Sequence, residues 1–316
     1  MYLLDSPIED GGQWDMFVNL IEKYGVIPQS VMPESFQSSS SRMMNRFITR
    51  KLREFAYLLR KNYDEGKNIN DLRKMKESML STVYSMLCIC LGDPPKQFDW
   101  QIIDKKKKFH RFKNINPLEF YKKHVNIKLK DKVCLINAPM SNKNMNELYT
   151  VNFLGNVVDG EIIKYANVDI EVMKKAAIKS IKNNEAVWFG CDVGKMFHRT
   201  LGVMDMDLYD YESIFETNFQ MDKSKRLEYG DSLMTHAMLF TGVDLKDGKS
   251  IKWRVENSWG TKGGDKGYYL MTDSWFDEYN YEVVVDKKYL PEKIVKLFSK
   301  KPVGLDPWDP MGSLAK

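Results

Sequence analysis

Two runs rich in strand-forming residues, 234–243 and 251–255, constrain this chain more than any other feature. Between them lies Asp244-Leu245-Lys246-Asp247-Gly248-Lys249-Ser250, a polar, glycine-containing segment suited to a hairpin turn. The first run holds His236 near its start, and the second leads directly into Asn257. Antiparallel neighbours joined in this way can hold an imidazole and a carboxamide within hydrogen-bond reach. One ring nitrogen then bonds the Asn257 side-chain oxygen, and the other is left to face a reaction partner. Trp259 is placed to lie over that bond and keep water from it. The predicted hairpin therefore carries a candidate catalytic pair, His236 and Asn257, with Trp259 in support.

A histidine on an apolar strand is ordinarily a satisfied core residue, and Asn-Ser alone says little. The surroundings make the pattern specific. Glu256-Asn257-Ser258-Trp259-Gly260 is followed by Gly263-Gly264 and by Gly267-Tyr268-Tyr269-Leu270, which resembles the asparagine block of papain-like cysteine peptidases. Three further segments are similar to the bleomycin hydrolase branch of that family: Asp10-Gly11-Gly12-Gln13-Trp14-Asp15-Met16, Val187-Trp188-Phe189-Gly190-Cys191-Asp192-Val193-Gly194-Lys195, and the closing Trp308-Asp309-Pro310-Met311-Gly312-Ser313-Leu314-Ala315. The resemblance runs along essentially the whole chain. It implies an α+β, papain-like fold and a cysteine aminopeptidase that removes N-terminal residues from peptides. Homocysteine thiolactone and bleomycin-type amides are further implied substrates, and a homohexamer with internal active sites is the implied assembly. His236 would act as base and then acid while Asn257 orients it. The resemblance also places the C-terminal arm in its own subunit's cleft, where Ala315 and Lys316 would anchor the substrate's amino group. No cofactor or metal is implied.

The nucleophile is the missing third of such a site. Papain-like peptidases carry it near the mature N-terminus, about 130–150 residues before the histidine. In the resembled branch an oxyanion-hole glutamine and a Cys-Trp motif precede the Gly-Gly-Gln-Trp segment, which here arrives at residues 11–14. The expectation is an N-terminally truncated chain without the cysteine, the glutamine and the central helix. The four cysteines present are poor substitutes. Cys88 and Cys90 fall at the negative end of an apolar helical run, Cys191 precedes Asp192, and Cys134 lies in a buried-strand pattern, Val133-Cys134-Leu135-Ile136. Removing the nucleophile of a triad costs on the order of a million-fold in turnover, so inactivity as written is expected. Three accounts compete: an incomplete peptidase of this branch, a truncated pseudoenzyme serving as a structural or interaction subunit, and a nucleic-acid-binding module.

The rest of the sequence sets the organisation. Residues 1–35 read as a remnant of a helical lobe. Asp10 is expected to cap a helix over 13–24 whose stripe of Trp14, Phe17, Val18 and Ile21 lacks a neighbour, leaving the chain poorly soluble. Residues 36–130 read as an α-rich insertion with helices at 41–61 and 70–91, and 131–295 as a β-rich lobe forming a barrel-like antiparallel sheet. In that lobe Asp169 caps a helix over 170–182 with Met173, Ala177, Ile178 and Ile181 inward. Residues 296–316 read as an arm made stiff and extended over 305–310 by its prolines. Arg42, Arg46, Arg50 and Arg53 share one helix face, and Lys105 to Lys108 form a denser basic run. A solvated surface is the ordinary reading, weak nucleic-acid binding the alternative; a net charge of +5 over 316 residues favours it little. No run of about eighteen apolar residues predicts a membrane span. Scattered cysteines and the absence of a signal-peptide pattern predict reduced thiols in the cytoplasm.

Overall fold

The computed structural model describes residues 2–315. They divide into two compact units, one built on Phe17–Ile127 with residues 2–12, the other on Lys128–Ala315 with Gln13–Met16.

The first unit is helical with one hairpin. It contains α1 (Trp14–Tyr24, whose first residues are assigned to the second unit), α2 (Phe36–Ser39), α3 (Arg42–Asp64) and α4 (Ile69–Leu91), then β1 (Phe98–Ile103), β2 (Phe109–Ile115) and α5 (Pro117–Phe120). Asn68 accepts from the Asp71 amide and so starts α4 by N-capping. The β1–β2 hairpin is an addition to the α-rich region, in which the sequence pattern indicated only the helices. Its turn is the lysine run: Asp104 accepts from the Lys106 and Lys108 amides, at 2.8 and 2.9 Å. Trp100 stacks on Phe112 across the hairpin at 5.3 Å. Phe98, Ile115 and Phe120 form a small core below it. Asp10 does not cap α1; its carboxylate accepts the Ser41 hydroxyl at 2.9 Å. The expected orphan stripe is also redistributed. Val18 and Ile21 are buried, whereas Phe17, Leu20 and Tyr24 are exposed.

The second unit holds β3 (Lys132–Ile136), β4 (Glu147–Val151), β5 (Tyr165–Asn167), α6 (Ile170–Lys182), β6 (Val187–Cys191), β7 (Phe197–His198), β8 (Val203–Met204), α7 (Tyr211–Phe215) and α8 (Lys223–Glu228). It continues through β9 (His236–Lys246), β10 (Lys249–Glu256), β11 (Tyr268–Thr272), α9 (Asp273–Tyr279), β12 (Asn280–Asp286), α10 (Glu292–Val295) and β13 (Val303–Leu305). The strands form one 11-stranded sheet in the order β13-β4-β5-β3-β12-β6-β9-β10-β11-β8-β7. Two features correct the barrel-like antiparallel expectation. The described strands do not close, because β13 and β7 end the order. Three pairings, β13–β4, β3–β5 and β11–β8, are parallel; such pairs join distant segments, which local alternation does not reveal.

Alternation along the central strands builds the main core. Phe189 of β6 and Phe240 of β9 stack at 3.8 Å, and Trp253 of β10 lies 4.9 Å from Phe276 of α9. Asp169 caps α6 by accepting from the Glu171 amide, and Met173 and Ala177 of that helix are fully buried. The nearly buried Lys174 amine pairs with Asp273 at 2.7 Å and Asp277 at 2.5 Å, tying α6 to α9. The hairpin turn is Asp247-Gly248, both with positive φ, between the paired Lys246 and Lys249. That is two-residue turn geometry, so both strands run further than the sequence pattern indicated.

The C-terminal arm is not extended past β13. It turns at Pro307 and Trp308 and ends in a 3-10 helix, Pro310–Ala315. Proline's fixed φ suits a turn as well as an extended segment. A buried ion pair, Lys143 to Asp309 at 2.7 Å, fastens the arm within this unit. Among the described residues, no helix is long and apolar enough to cross a membrane.

Candidate active site

Both candidate residues lie on the face of the sheet that carries the main core. On β9 the alternation that buries Met238 and Phe240 puts His236 on the same side, at the strand's first position. On β10 it buries Trp253 and Val255, and Asn257 follows in phase just past the strand end. The core stops at this edge, so the two side chains are half-buried rather than enclosed.

The structure brings them together. His236 Nε2 lies 2.9 Å from Asn257 Oδ1. The same oxygen accepts the Ser258 amide at 2.7 Å. An atom that accepts a backbone N–H must be the amide oxygen, so the imidazole donates from Nε2. In the neutral ring Nδ1 then carries the lone pair and is the basic nitrogen. Trp259 stacks on His236 with ring centroids 4.7 Å apart and planes at 30°. Arg199 sits 4.3 Å from the Trp259 ring centroid, and Phe197 borders the same indole at 6.3 Å.

The loop after Asn257 is shaped by close backbone approach. A Cβ on Gly263 would meet the Tyr269 hydroxyl at 2.2 Å, and one on Gly264 would meet the Tyr268 carbonyl oxygen at 2.2 Å. Only glycine fits there, which accounts for the pair seen in the sequence. Asn257 is held from the far side of the loop as its amide donates to the Gly267 carbonyl at 3.2 Å.

Residues 232–235, which lead into His236, are pinned by groups that sequence reasoning did not select. Ser232 donates to Asp192 at 2.8 Å, and the Thr235 hydroxyl donates to the other oxygen of that carboxylate at 3.3 Å. The Ser313 hydroxyl of the arm donates to the Met234 carbonyl at 2.7 Å. Leu314 packs close enough to Gly190 that an added Cβ there would meet it at 2.8 Å. Asp192 was visible only as an unfavourable neighbour of Cys191, and Arg199 carried no local signal at all. Of the arm's two proposed anchoring residues, Ala315 ends the 3-10 helix half-exposed. Lys316 lies outside the described residues.

Cys191 is directly opposite His236 in the β6–β9 pairing. Facing residues of an antiparallel pair have Cβ atoms about 4.5–5.5 Å apart, so this thiol is near the imidazole. It is nonetheless fully buried among core side chains. Burial, and then the Asp192 charge, push the thiol well above its ordinary range. Cys134 is likewise buried in β3, with its thiol raised by burial and by Glu282. Cys88 and Cys90 fall in the last turn of α4, where Cys88 lies 3.8 Å from an Asp93 carboxylate oxygen. No thiol here combines exposure with a neighbour that favours the thiolate.

Comparison with known proteins identifies the family of the chain. Residues 1–312 match the model of the Peptidase C1-like family. The chain is 48% identical to mouse (Mus musculus) bleomycin hydrolase over 321 aligned positions, covering 100% of this chain and 70% of that protein. It is 47% identical to aminopeptidase C of Listeria monocytogenes, covering 99% of this chain and 70% of the relative. The crystal structure of PepW from Lactobacillus rhamnosis superposes with a TM-score of 0.96 at 47% identity, covering 98% of this chain and 70% of that one.

Proposed function

From membership of the Peptidase C1-like family, to which this chain belongs, we propose that it supplies the histidine–asparagine half of a cysteine aminopeptidase site of the bleomycin hydrolase type. On this reading the thiolate is supplied from outside these residues, because none of the four thiols pairs exposure with a favourable neighbour, and the chain alone has no thiol-dependent turnover. The single observation that carries this reading is the Asn257 oxygen shared by His236 and the Ser258 amide, which leaves Nδ1 as a fixed base.

In the complete site Nδ1 takes the thiol proton as sulfur attacks an aminoacyl carbonyl. It returns that proton to the departing amine, and then activates the water that releases the acyl group. The imidazolium formed between these steps is stabilised by Asn257 and shielded by Trp259. The docked arm supports action at N-termini: Lys143–Asp309 and Ser313–Met234 would hold its end beside the strands that lead to His236. A carboxylate there would bind the substrate's ammonium and exclude longer N-terminal extensions. Peptides, aminoacyl amides of the bleomycin type and homocysteine thiolactone are the proposed substrates, in the cytoplasm and as a homohexamer.

The test is turnover of a fluorogenic aminoacyl amide by the chain alone, and by the chain co-expressed with the part of the mouse relative beyond the aligned 70%. The expected result is no thiol-reagent-sensitive activity alone, and activity on complementation that His236→Ala abolishes. Turnover by the isolated chain that disappears in Cys191→Ser would overturn the reading. So would complemented turnover indifferent to His236→Ala.

A second reading, a non-catalytic subunit that joins an oligomer, is favoured by the apolar side chains that the first unit leaves in solvent, such as Phe36 and Ile89. Sedimentation of the chain as a monomer at micromolar concentration would count against it.

A further inference from the structure

A cleft of about 820 Å³ lies within the first unit, between residues 8–10 and one side of α3. Its α3 wall carries Arg42, Arg46, Arg50 and Arg53. We propose that this cleft binds a small organic phosphate bearing two or more phosphoryl groups.

The four arginines do different things. Arg53 is already committed: its Nε donates to the Leu4 carbonyl at 2.8 Å and its Nη2 to the Asp5 carbonyl at 2.6 Å. Those bonds hold the N-terminal segment against the helix and so build the far wall. The ion pairs along α3 are Lys51–Glu54 and Lys61–Glu65, and Arg42, Arg46 and Arg50 take part in neither. No acidic residue occurs in α3 before Glu54. Three cations at successive i,i+4 spacings repel one another, and a solvated helix face ordinarily intersperses acids among them. A bound anion removes that repulsion.

The helix start adds donors to the same cleft. Ser41, at the N-cap of this 23-residue helix, has helical φ and ψ and makes no side-chain capping hydrogen bond, and its hydroxyl donates to Asp10. The first-turn amides of α3 therefore remain open at the end where Arg42 stands, and their dipole favours an anion. The span selects the size of the ligand. Arg42 to Arg50 rises about 12 Å along the axis, so a ligand with more than one phosphoryl group reaches more of the guanidinium forks than a single phosphate does. Phe47, half-exposed on the same wall, gives an aromatic surface for the organic part. Glu9 and Asp10 on the facing wall repel phosphate from that side and suit hydroxyl groups instead.

Calorimetric titration of the full chain with adenosine diphosphate, inorganic pyrophosphate and orthophosphate at 0.15 M salt tests this. The expected result is one saturable site, at least tenfold tighter for the two diphosphates than for orthophosphate. Arg46→Gln should weaken it about tenfold, as loss of one charge-assisted pair does. Lys105→Gln, the same charge change on the β1–β2 turn, should leave it unchanged. These side chains are exposed, and circular dichroism of each variant verifies its fold. Absence of saturation, equal weakening by Lys105→Gln, or no preference over orthophosphate would overturn the proposal. Tighter, steeply salt-dependent binding of a single-stranded oligonucleotide would also overturn it, in favour of a nucleic-acid surface. None of these outcomes depends on His236, so the result is separable from the fate of the peptidase reading.

Discussion

The two units bury their apolar residues very differently. In the second, one continuous cluster runs from Val133 on β3 through Phe189, Phe240 and Trp253 to Ile294 and Leu297, and most of its members are fully buried. In the first, the long helices α3 and α4 contribute a single buried residue, Ile48, while Met43, Phe47, Tyr57, Tyr63 and Ile89 stand in solvent. Both units contain long regular elements, so regularity is not what separates them. A helix of 23 residues satisfies most of its backbone internally and can keep its shape with little burial, whereas a side-chain pair from two strands must be held by packing to a fraction of an ångström. The candidate site is built where packing is dense.

The largest expected effect follows from that contrast. Phe240→Ala removes a ring packed against Phe189, Trp253 and Phe276 and should cost about 3–5 kcal/mol. Phe47→Ala in the first unit should stay within about 0.5 kcal/mol. Urea denaturation of the two variants measures both. Comparable losses would mean that the first unit depends on contacts its exposed residues do not display.

Next is the arm. Lys143→Met leaves the Asp309 carboxylate buried without its partner, a change worth about 3 kcal/mol or more. Limited proteolysis should then cut within 306–315 before it cuts elsewhere. If the arm stays resistant, Ser313 and Leu314 suffice to dock it, and the ion pair serves specificity instead.

The second unit also contains a carboxyl that sharpens the comparison through pH. Burial pushes Glu282 of β12 up to about 8, with the Cys134 thiol opposing and the Asp15 charge adding to the rise. Asp15 itself is raised to about 6, chiefly by burial. A carboxyl whose folded value is raised keeps its proton in the native state after the unfolded chain has lost it. Its contribution is full below about 4.5 and is lost as pH rises toward 8. Glu282→Gln should therefore remove up to about 5 kcal/mol of decline over that window. It should also raise the melting temperature at pH 8 more than at pH 5. Parallel melting curves at the two pH values would show that Glu282 is not the group responsible.

Much of this architecture was legible in the chain, and the reasons differ by element. The α6 boundaries and its Asp169 cap came from a helix period bracketed by a capping residue and an Asn-Asn turn. His236 and Asn257 were legible because glycines fixed by steric contact, Gly263 and Gly264, mark the loop between β10 and β11. The β1–β2 hairpin was not legible because the lysine run of its turn interrupts the short period-two signal on either side, in which Trp100 and Phe112 share a face. The parallel pairs were not legible, since β13 meets β4 from about 150 residues away and no local pattern encodes such a partner. Asp192 and Arg199 failed for a related reason. Each acts on a residue distant in sequence, and each looks like ordinary surface charge until the strands are in place.

Arg199 gives the smallest and most diagnostic prediction. Its guanidinium lies over Trp259, and Trp259 lies over His236, so the cation acts on the imidazole only through the indole. An exposed cation–π contact is worth about 0.5–1 kcal/mol, too little to alter the global fold. Arg199→Ala should leave denaturation midpoints nearly unchanged while freeing the indole to move. The His236–Asn257 bond then becomes open to water, and the imidazole proton on Nε2 should exchange with solvent several-fold faster by NMR. Arg199→Lys, which keeps the charge but loses the flat stacking surface, should fall between the two. An exchange rate equal to the parent's in Arg199→Ala would show that Phe197 and the loop backbone alone hold Trp259 in place. The shielding of the His236–Asn257 bond would then belong wholly to the dense unit, with no contribution from surface charge.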